Sequence, residues 1–330
     1  MDERRRRASA ALALGLAGGA VSSSLWAQGS DYPNKSITFL VPQAAGGSTD
    51  ALAREIGLRL ASGLGQSIVV DNRAGANGLI GCELVAKAKP DGYMLLVGGT
   101  GTMSINQHLY KNMPYDPVKS FVPVALFGYS TSVLVVHPSV QAKTIGELIA
   151  DIKAKPPETY KYASAGVGSS PHLTAEMFKQ MTGTDVLHIP YKGSTPGVIG
   201  TMSGETQMMF TGVSSAVAHI KSGRLKALSI SGPKRSPALP SVPTAGESGL
   251  PGFEADFWIG LFAPAGTPPA VVARLNSEVN RVLTSQQVKE KFLTTGVDSM
   301  VISPEAFGAI MAKDTERWGK TVQLSGMKME

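Results

Sequence analysis

Residues 37–50 read Ile37-Thr38-Phe39-Leu40-Val41-Pro42-Gln43-Ala44-Ala45-Gly46-Gly47-Ser48-Thr49-Asp50, an apolar run that meets a glycine turn and passes straight into a helical pattern. Ile37 to Val41 predicts a buried strand, and Ala51, Leu52, Ile56 and Leu60 recur beyond the turn at helical spacing. A strand, a glycine turn and a helix start gather unpaired backbone N–H groups around one point, with the positive end of the helix dipole behind them. Such a point holds an anion without any charged side chain. Gly46 and Gly47 let backbone approach a ligand, and Ser48 and Thr49 add hydroxyl donors. The same residues also suit a local role, with Ser48, Thr49 and Asp50 capping the helix. On this loop alone both readings stand.

The device recurs. A second β-rich run, Tyr160 to Ala163, is followed by Ser164-Ala165-Gly166-Val167-Gly168-Ser169-Ser170-Pro171-His172 and then a helix through Glu176 and Phe178. Two anion-cradling turns favour binding over capping, because each can grip one side of a ligand at the carboxyl ends of the strands, where open α/β sheets bind. A third candidate is His188-Ile189-Pro190-Tyr191-Lys192-Gly193. Here Tyr191 walls a pocket and Lys192 attracts anions, or a core tyrosine sits beside a solvated lysine.

Around these loops, β-rich runs alternate with helical patterns: Ile37–Val41, Ile68–Asp71, Tyr93–Val97, Val133–Val136, Tyr160–Ala163, Val186–Ile189, Gln207–Phe210 and Leu225–Ile230. That alternation predicts an α/β protein with mostly parallel sheets covered by helices. The segment Thr144 to Lys155 is one predicted helix. Another opens at Thr267 as N-cap with Pro268 in its first turn and carries the apolar stripe Val271, Leu275, Val279 and Val282. Two longer extended stretches, Val122–Tyr129 and Phe253–Phe262, read as crossings between two lobes. The expected division is residues 28–128 with 256–330 in one discontinuous lobe, and 129–255 in the other.

The 330 residues suffice for two cores at 43% apolar content. Arg4 to Arg7, the apolar stretch Ala10 to Val21 and small residues ending at Ala27 read as an export signal cleaved near Ala27. Its loss lowers the formal charge from +6 to +4, with no basic run left to favour nucleic acid. Cys82 is the only cysteine, so no internal disulfide is available, and its apolar surroundings predict a buried, inert thiol.

Catalytic patterns fail. There is no Gly-x-Ser-x-Gly elbow, Pro171 stands where a dinucleotide fingerprint needs its third glycine, and Asp314 stands where a P-loop needs its first. The five histidines show no i, i+4 pairing and no carboxylate–histidine cluster, so no metal site is expected. A Ser169–His172 hydrolase is the enzyme alternative, without an acid partner at recognisable spacing.

The chain resembles the Bug-type substrate-binding proteins of tripartite tricarboxylate transporters. The likeness rests on Tyr32-Pro33, Gly46-Gly47-Ser48-Thr49-Asp50, Asn72-Arg73-Ala74-Gly75-Ala76-Asn77-Gly78, Pro90-Asp91-Gly92-Tyr93, Ser164-Ala165-Gly166, His172-Leu173, Pro190-Tyr191-Lys192-Gly193, Arg235-Ser236-Pro237, Val242-Pro243-Thr244 and Ala263 to Pro268. It implies a two-lobed type II periplasmic-binding-protein-like fold with mixed sheets and a two-strand hinge. It also implies a monomeric periplasmic receptor, without cofactor or catalysis, that closes on a di- or tricarboxylate or an aromatic carboxylate and delivers it to a membrane permease. The implied contacts are Gln43, Ala45, Gly46, Gly47, Ser48, Thr49, Asp50, Ser164, Ala165, Gly166, Gly168, Ser169, His172, Tyr191, Lys192 and Thr211. Five departures stand out. Gln43 and Ala45 replace the usual aromatic residue and proline, and Gly200, Gln207 and Thr211 replace frequent aspartates. The loss of a carboxylate at Thr211 favours a plain acid over an amino acid. A sensor that docks on a signalling receptor uses the same closed state and is the other binding alternative.

Overall fold

The computed structural model describes residues 32–294 and 296–325, so the export signal expected over residues 1–27 lies outside the described residues. Two sheets organise the chain. The first contains β1 (Ile37–Val41), β2 (Ile68–Asn72), β3 (Met94–Gly99) and β4 (Phe121–Ser130), together with β10 (Phe257–Pro264) and β11 (Val297–Ser299), in the order β11-β4-β10-β3-β1-β2. The second contains β5 (Ser132–Val136), β6 (Lys161–Ser164), β7 (Leu187–Pro190), β8 (Met208–Gly212) and β9 (Lys226–Ile230), in the order β7-β6-β8-β5-β9.

In each sheet the strands that alternate with helices are parallel: β1 with β2 and β3, and β6 with β7 and β8. The crossing strands are antiparallel to them. β10 runs against β3 and β4, and β5 runs against β8 and β9. A strand arriving from the other lobe enters its sheet from the opposite end, so the crossings make both sheets mixed.

Parallel strands need helical crossovers, and these cover both faces of each sheet. In the first lobe α1 (Ser48–Leu64) follows β1, α2 (Leu79–Ala86) follows β2 and α3 (Asn106–Leu109) follows β3. In the second, α4 (Ile145–Lys153) precedes β6, and α5 (Ser170–Thr182), α6 (Ser194–Met202) and α7 (Val213–Lys221) follow β6, β7 and β8. The chain then returns through β10 to α8 (Pro269–Thr284), α9 (Gln286–Thr294) and α10 (Pro304–Ser325), which pack on the first sheet.

Strand alternation divides the cores. Ile37, Phe39 and Val41 face α1 and α8, meeting Ile56, Leu60, Leu275 and Val279, while Leu40 joins Cys82, Trp258, Phe262 and Phe307 on the other face. Cys82 is fully buried, and burial pushes its thiol up to about 12. In α1 the inward residue is Ala53 rather than the expected Ala51, which is exposed. Thr267 does not cap α8 either. Its hydroxyl donates to the Pro264 carbonyl at 2.7 Å within the preceding turn, and Pro268 is the N-cap.

One residue, Thr131, separates β4 from β5, so the outward crossing is almost a continuous strand. The return lies beside it. Ser231 N–H donates to Ser132 at 2.8 Å, and Ala255 N–H donates to Ser231 at 2.7 Å. The expected extended stretch from Phe253 thus becomes ladder only at Phe257: Phe253 N–H turns back to the Leu250 carbonyl at 3.4 Å, and Ala255 bonds this crossing instead of a sheet neighbour.

Phe178, Phe210 and Phe253 fill the centre of the second lobe with ring centroids 5.5–6.2 Å apart. Phe178→Ala is expected to destabilise that lobe by about 3–5 kcal/mol, read as a lower urea midpoint at unchanged slope.

Candidate functional site

Gly47 is the N-cap of α1, and no side chain caps the helix. Its first-turn N–H groups therefore remain open to a ligand. Asp50 does not cap α1. It is buried, and its carboxylate reaches back to the Gly46 N–H at 2.9 Å and to Arg54 at 3.0–3.1 Å. Burial drives this carboxyl up, but hydrogen bonds from Arg54, Gly46 and Asn72 outweigh it and hold the group below its ordinary range. Asp50 thus shapes the loop from behind. The turn is demanding at Gly46, where φ is +86°, and not at Gly47, where φ is −80°. Ala45 and Gly46 are exposed, Ser48 and Thr49 are half-buried, and Gln43 has a buried side-chain oxygen with no protein partner.

The second turn has the same character. Ser169 is the N-cap of α5 without a side-chain cap bond, and Gly166 (φ +122°) and Gly168 (φ +75°) hold left-handed backbone. Ser164 Oγ accepts the Gly166 N–H at 3.0 Å and donates to the Gly166 carbonyl at 3.1 Å, while Ser169 Oγ donates to the same carbonyl at 2.6 Å. His172 Nδ1 accepts the Gly168 N–H at 2.9 Å. Both Ser169 and His172 are committed to the loop, and neither bonds the other, so the nucleophile–base pair of the hydrolase alternative is not assembled.

The sequence missed a cluster. His172 stacks on His188 at 3.9 Å, Tyr162 stacks on His188 at 4.8 Å, and the Glu176 carboxylate lies 4.0 Å from His172 Nε2. The expectation of no carboxylate–histidine cluster is therefore corrected, although no group among the described residues gathers the side chains to hold a metal. His188 belonged to a quoted motif, but only the tertiary pairing of β6 with β7 brings it under the turn.

Tyr191 takes the core reading rather than the pocket-wall reading. It packs with the Val198 and Met209 cluster under α6, and a Cβ at Gly200 would collide with its hydroxyl, so glycine at 200 makes room for the tyrosine. Burial raises its hydroxyl to about 12, with Glu205 adding to the rise. Its backbone still bounds the site, since a Cβ on Gly166 would stand 3.3 Å from the Tyr191 carbonyl. Lys192 is exposed. Thr211 is fully buried with an unpartnered hydroxyl, on the sheet face of Met209, which α6 covers at Gly197.

Each turn meets an element of the opposite lobe. Ser48 Oγ on α1 lies 2.7 Å from Ser214 Oγ on α7, a helix whose N-cap, Gly212, likewise supplies no side-chain cap. Asn77 Nδ2 donates to the Gly168 carbonyl at 3.2 Å and to Asn106 Oδ1 at 2.9 Å. A Cβ on Gly168 would meet Leu109 of the first lobe at 2.8 Å. The lobes are thus closed on each other around the starts of α1, α5 and α7. Asn77, Gly212 and Ser214 were not among the expected contacts, because no local pattern marks a residue whose partner lies 91 or 166 positions away.

The profile described as "Tripartite tricarboxylate transporter family receptor" matches residues 52–327. The chain belongs to this receptor family. Among solved structures it is similar to the periplasmic binding protein BugD, at 32% identity with a TM-score of 0.84, covering 91% of this chain and 100% of that one. It is also similar to Rpa4515 of R. palustris, solved with adipate, at 33% identity and a TM-score of 0.87, covering 90% of this chain and 99% of that one. MatC of Rhodopseudomonas palustris, solved with malate, aligns at 33% identity and a TM-score of 0.81, covering 88% of this chain and 100% of that one. These likenesses agree with the two-lobed type II periplasmic-binding-protein-like fold.

Gly168→Val tests the closed arrangement, because overpacking at this contact costs about 1–3 kcal/mol. The lobes are expected to part, raising the radius of gyration in small-angle scattering above that of wild type. Gly47→Val, at an unstrained position, is expected to leave it unchanged.

Proposed function

We propose that this receptor captures a small di- or tricarboxylate, or an aromatic carboxylate, between its two lobes, without turnover, and presents it to a tripartite tricarboxylate-type permease. The observation that carries this reading is the meeting of uncapped helix starts from opposite lobes, α1 against α7 and the α5 turn against Asn77. Hydrogen bonds to a charged acceptor contribute about 1.5–3 kcal/mol each. Two from each lobe supply about 6–12 kcal/mol before ordering costs, which brackets the roughly 8 kcal/mol of a micromolar complex. Helix dipoles add about 0.3–1 kcal/mol each and are secondary. The neighbours solved with adipate and malate support an acid of this size.

The assignment of contacts follows the geometry. Gly47, Ser48, Thr49 and Ala165 line the anion, while Asp50, Ser164, Gly166, Ser169 and His172 hold the turns. Residues 28–128 with 256–330 form one lobe and 129–255 the other, hinged at Thr131 and Ser231. The receptor acts as a monomer in the periplasm after cleavage near Ala27.

Calorimetric titration with adipate, malate, succinate, citrate, benzoate, glutamate and aspartate tests the ligand class. One-to-one binding of a plain acid at least about tenfold tighter than either amino acid, a gap of about 1.4 kcal/mol, is the expected result. Tighter glutamate or aspartate would overturn the class, and the absence of binding by any acid would overturn the receptor reading. Export is checked separately: N-terminal sequencing of the periplasmic protein is expected to begin at Gln28.

A further inference from the structure

The anion-facing turn at 164–169 rests on two imidazoles. His172, in the first turns of α5, is buried, and its Nδ1 accepts the Gly168 N–H at 2.9 Å. His188, on β7, places Nε2 2.6 Å from Ser164 Oγ, the atom that holds both the N–H and the carbonyl of Gly166. The rings lie 3.9 Å apart and within 11° of parallel. Together they control the two glycines at which the turn adopts left-handed backbone.

The titratable and charged groups facing the pair are Tyr162 from β6 and Glu176 and Lys179 from α5. Glu176 accepts from Tyr162 Oη at 2.6 Å and pairs with Lys179 at 3.0 Å; its carboxylate, 4.0 Å from His172 Nε2, favours the charged ring, but burial outweighs it and Lys179 opposes it. A nitrogen that accepts an N–H bond carries no proton. Protonating His172 at Nδ1 sets a donor against the Gly168 donor, and the bond is lost. Two imidazoles at this separation also cannot both take a charge without strong repulsion.

We propose that His172 and His188 form a neutral imidazole stack that positions the 164–169 turn for its anion, and that a proton taken up by the stack releases the turn and weakens binding. The inference rests on the receptor reading of this site. Burial pushes both rings down; for His188 burial is the larger cause and the neighbouring His172 the next, taking it to about 4. The sign follows. Binding depends on the difference between the opened and the bound turn: once the turn opens, the rings regain water and the proton is taken up more readily, so affinity is greatest when both rings are neutral and falls on acidification. The opposite outcome, an imidazolium that attracts the anion, would make affinity rise on acidification.

The test is titration with the tightest-binding of adipate, malate, succinate and citrate at pH 7.5 and 5.0, for wild type and the double variant His172→Asn, His188→Gln. Asparagine keeps an acceptor where Nδ1 stood, glutamine keeps a polar atom near Ser164, and neither titrates. Wild type is expected to lose more affinity than the double variant over this range, with protonation of the acid itself common to both. An equal loss in both proteins, or a gain for wild type at pH 5.0, overturns the proposal. If the variant does not fold, histidine ring resonances of wild type decide instead, because saturation with the same acid must lower the midpoints of His172 and His188. Unmoved midpoints overturn it. A wild type that binds none of the four acids at pH 7.5 fails the receptor reading, a result distinct from either outcome.

Discussion

A helix start that no side chain caps leaves backbone N–H groups without acceptors, and closing two lobes around them removes the water that would otherwise serve. In this protein the starts of α1, α5 and α7 lie where the lobes meet. The architecture follows from keeping them there. Parallel β-α units put each helix start at the carboxyl edge of its sheet, and the crossings hold the two edges face to face. Side chains of Ser164, His172 and Asp50 fix the turns from the rear by bonding chosen N–H groups, which leaves the remaining donors aimed outward.

The hinge sets how the halves are related. With Thr131 alone between β4 and β5, and Ser231 bonded on both sides by Ser132 and Ala255, rotation is confined to a few backbone dihedrals. The return segment then inserts β10 between β3 and β4, so the first lobe contains the sequence from both ends of the second.

Most parallel strands were legible from the chain to within about two residues, since β-branched runs bounded by glycine turns have no helical competitor. The antiparallel crossings were legible as extended chain but not as sheet partners, because pairing across more than a hundred residues leaves no local mark. At the site, the turns and glycines were visible, while the choice between capping and binding was not, for a serine before a helix satisfies both. The geometry removed side-chain capping alone: Gly47 and Ser169 cap without side-chain bonds, and Asp50 turns backward. Tyr191 stayed open between pocket wall and core for a related reason. Its motif fixes the backbone beside Gly166, whereas the direction of the ring depends on Gly200 of the next helix.

The contacts Ser48–Ser214 and Asn77–Gly168 join the lobes through protein atoms alone. They favour the shut conformation before any solute arrives and so set what fraction of molecules is ready to retain one. Loss of either contact, by substitution at Ser214 or Asn77, therefore lowers that fraction before a solute is met.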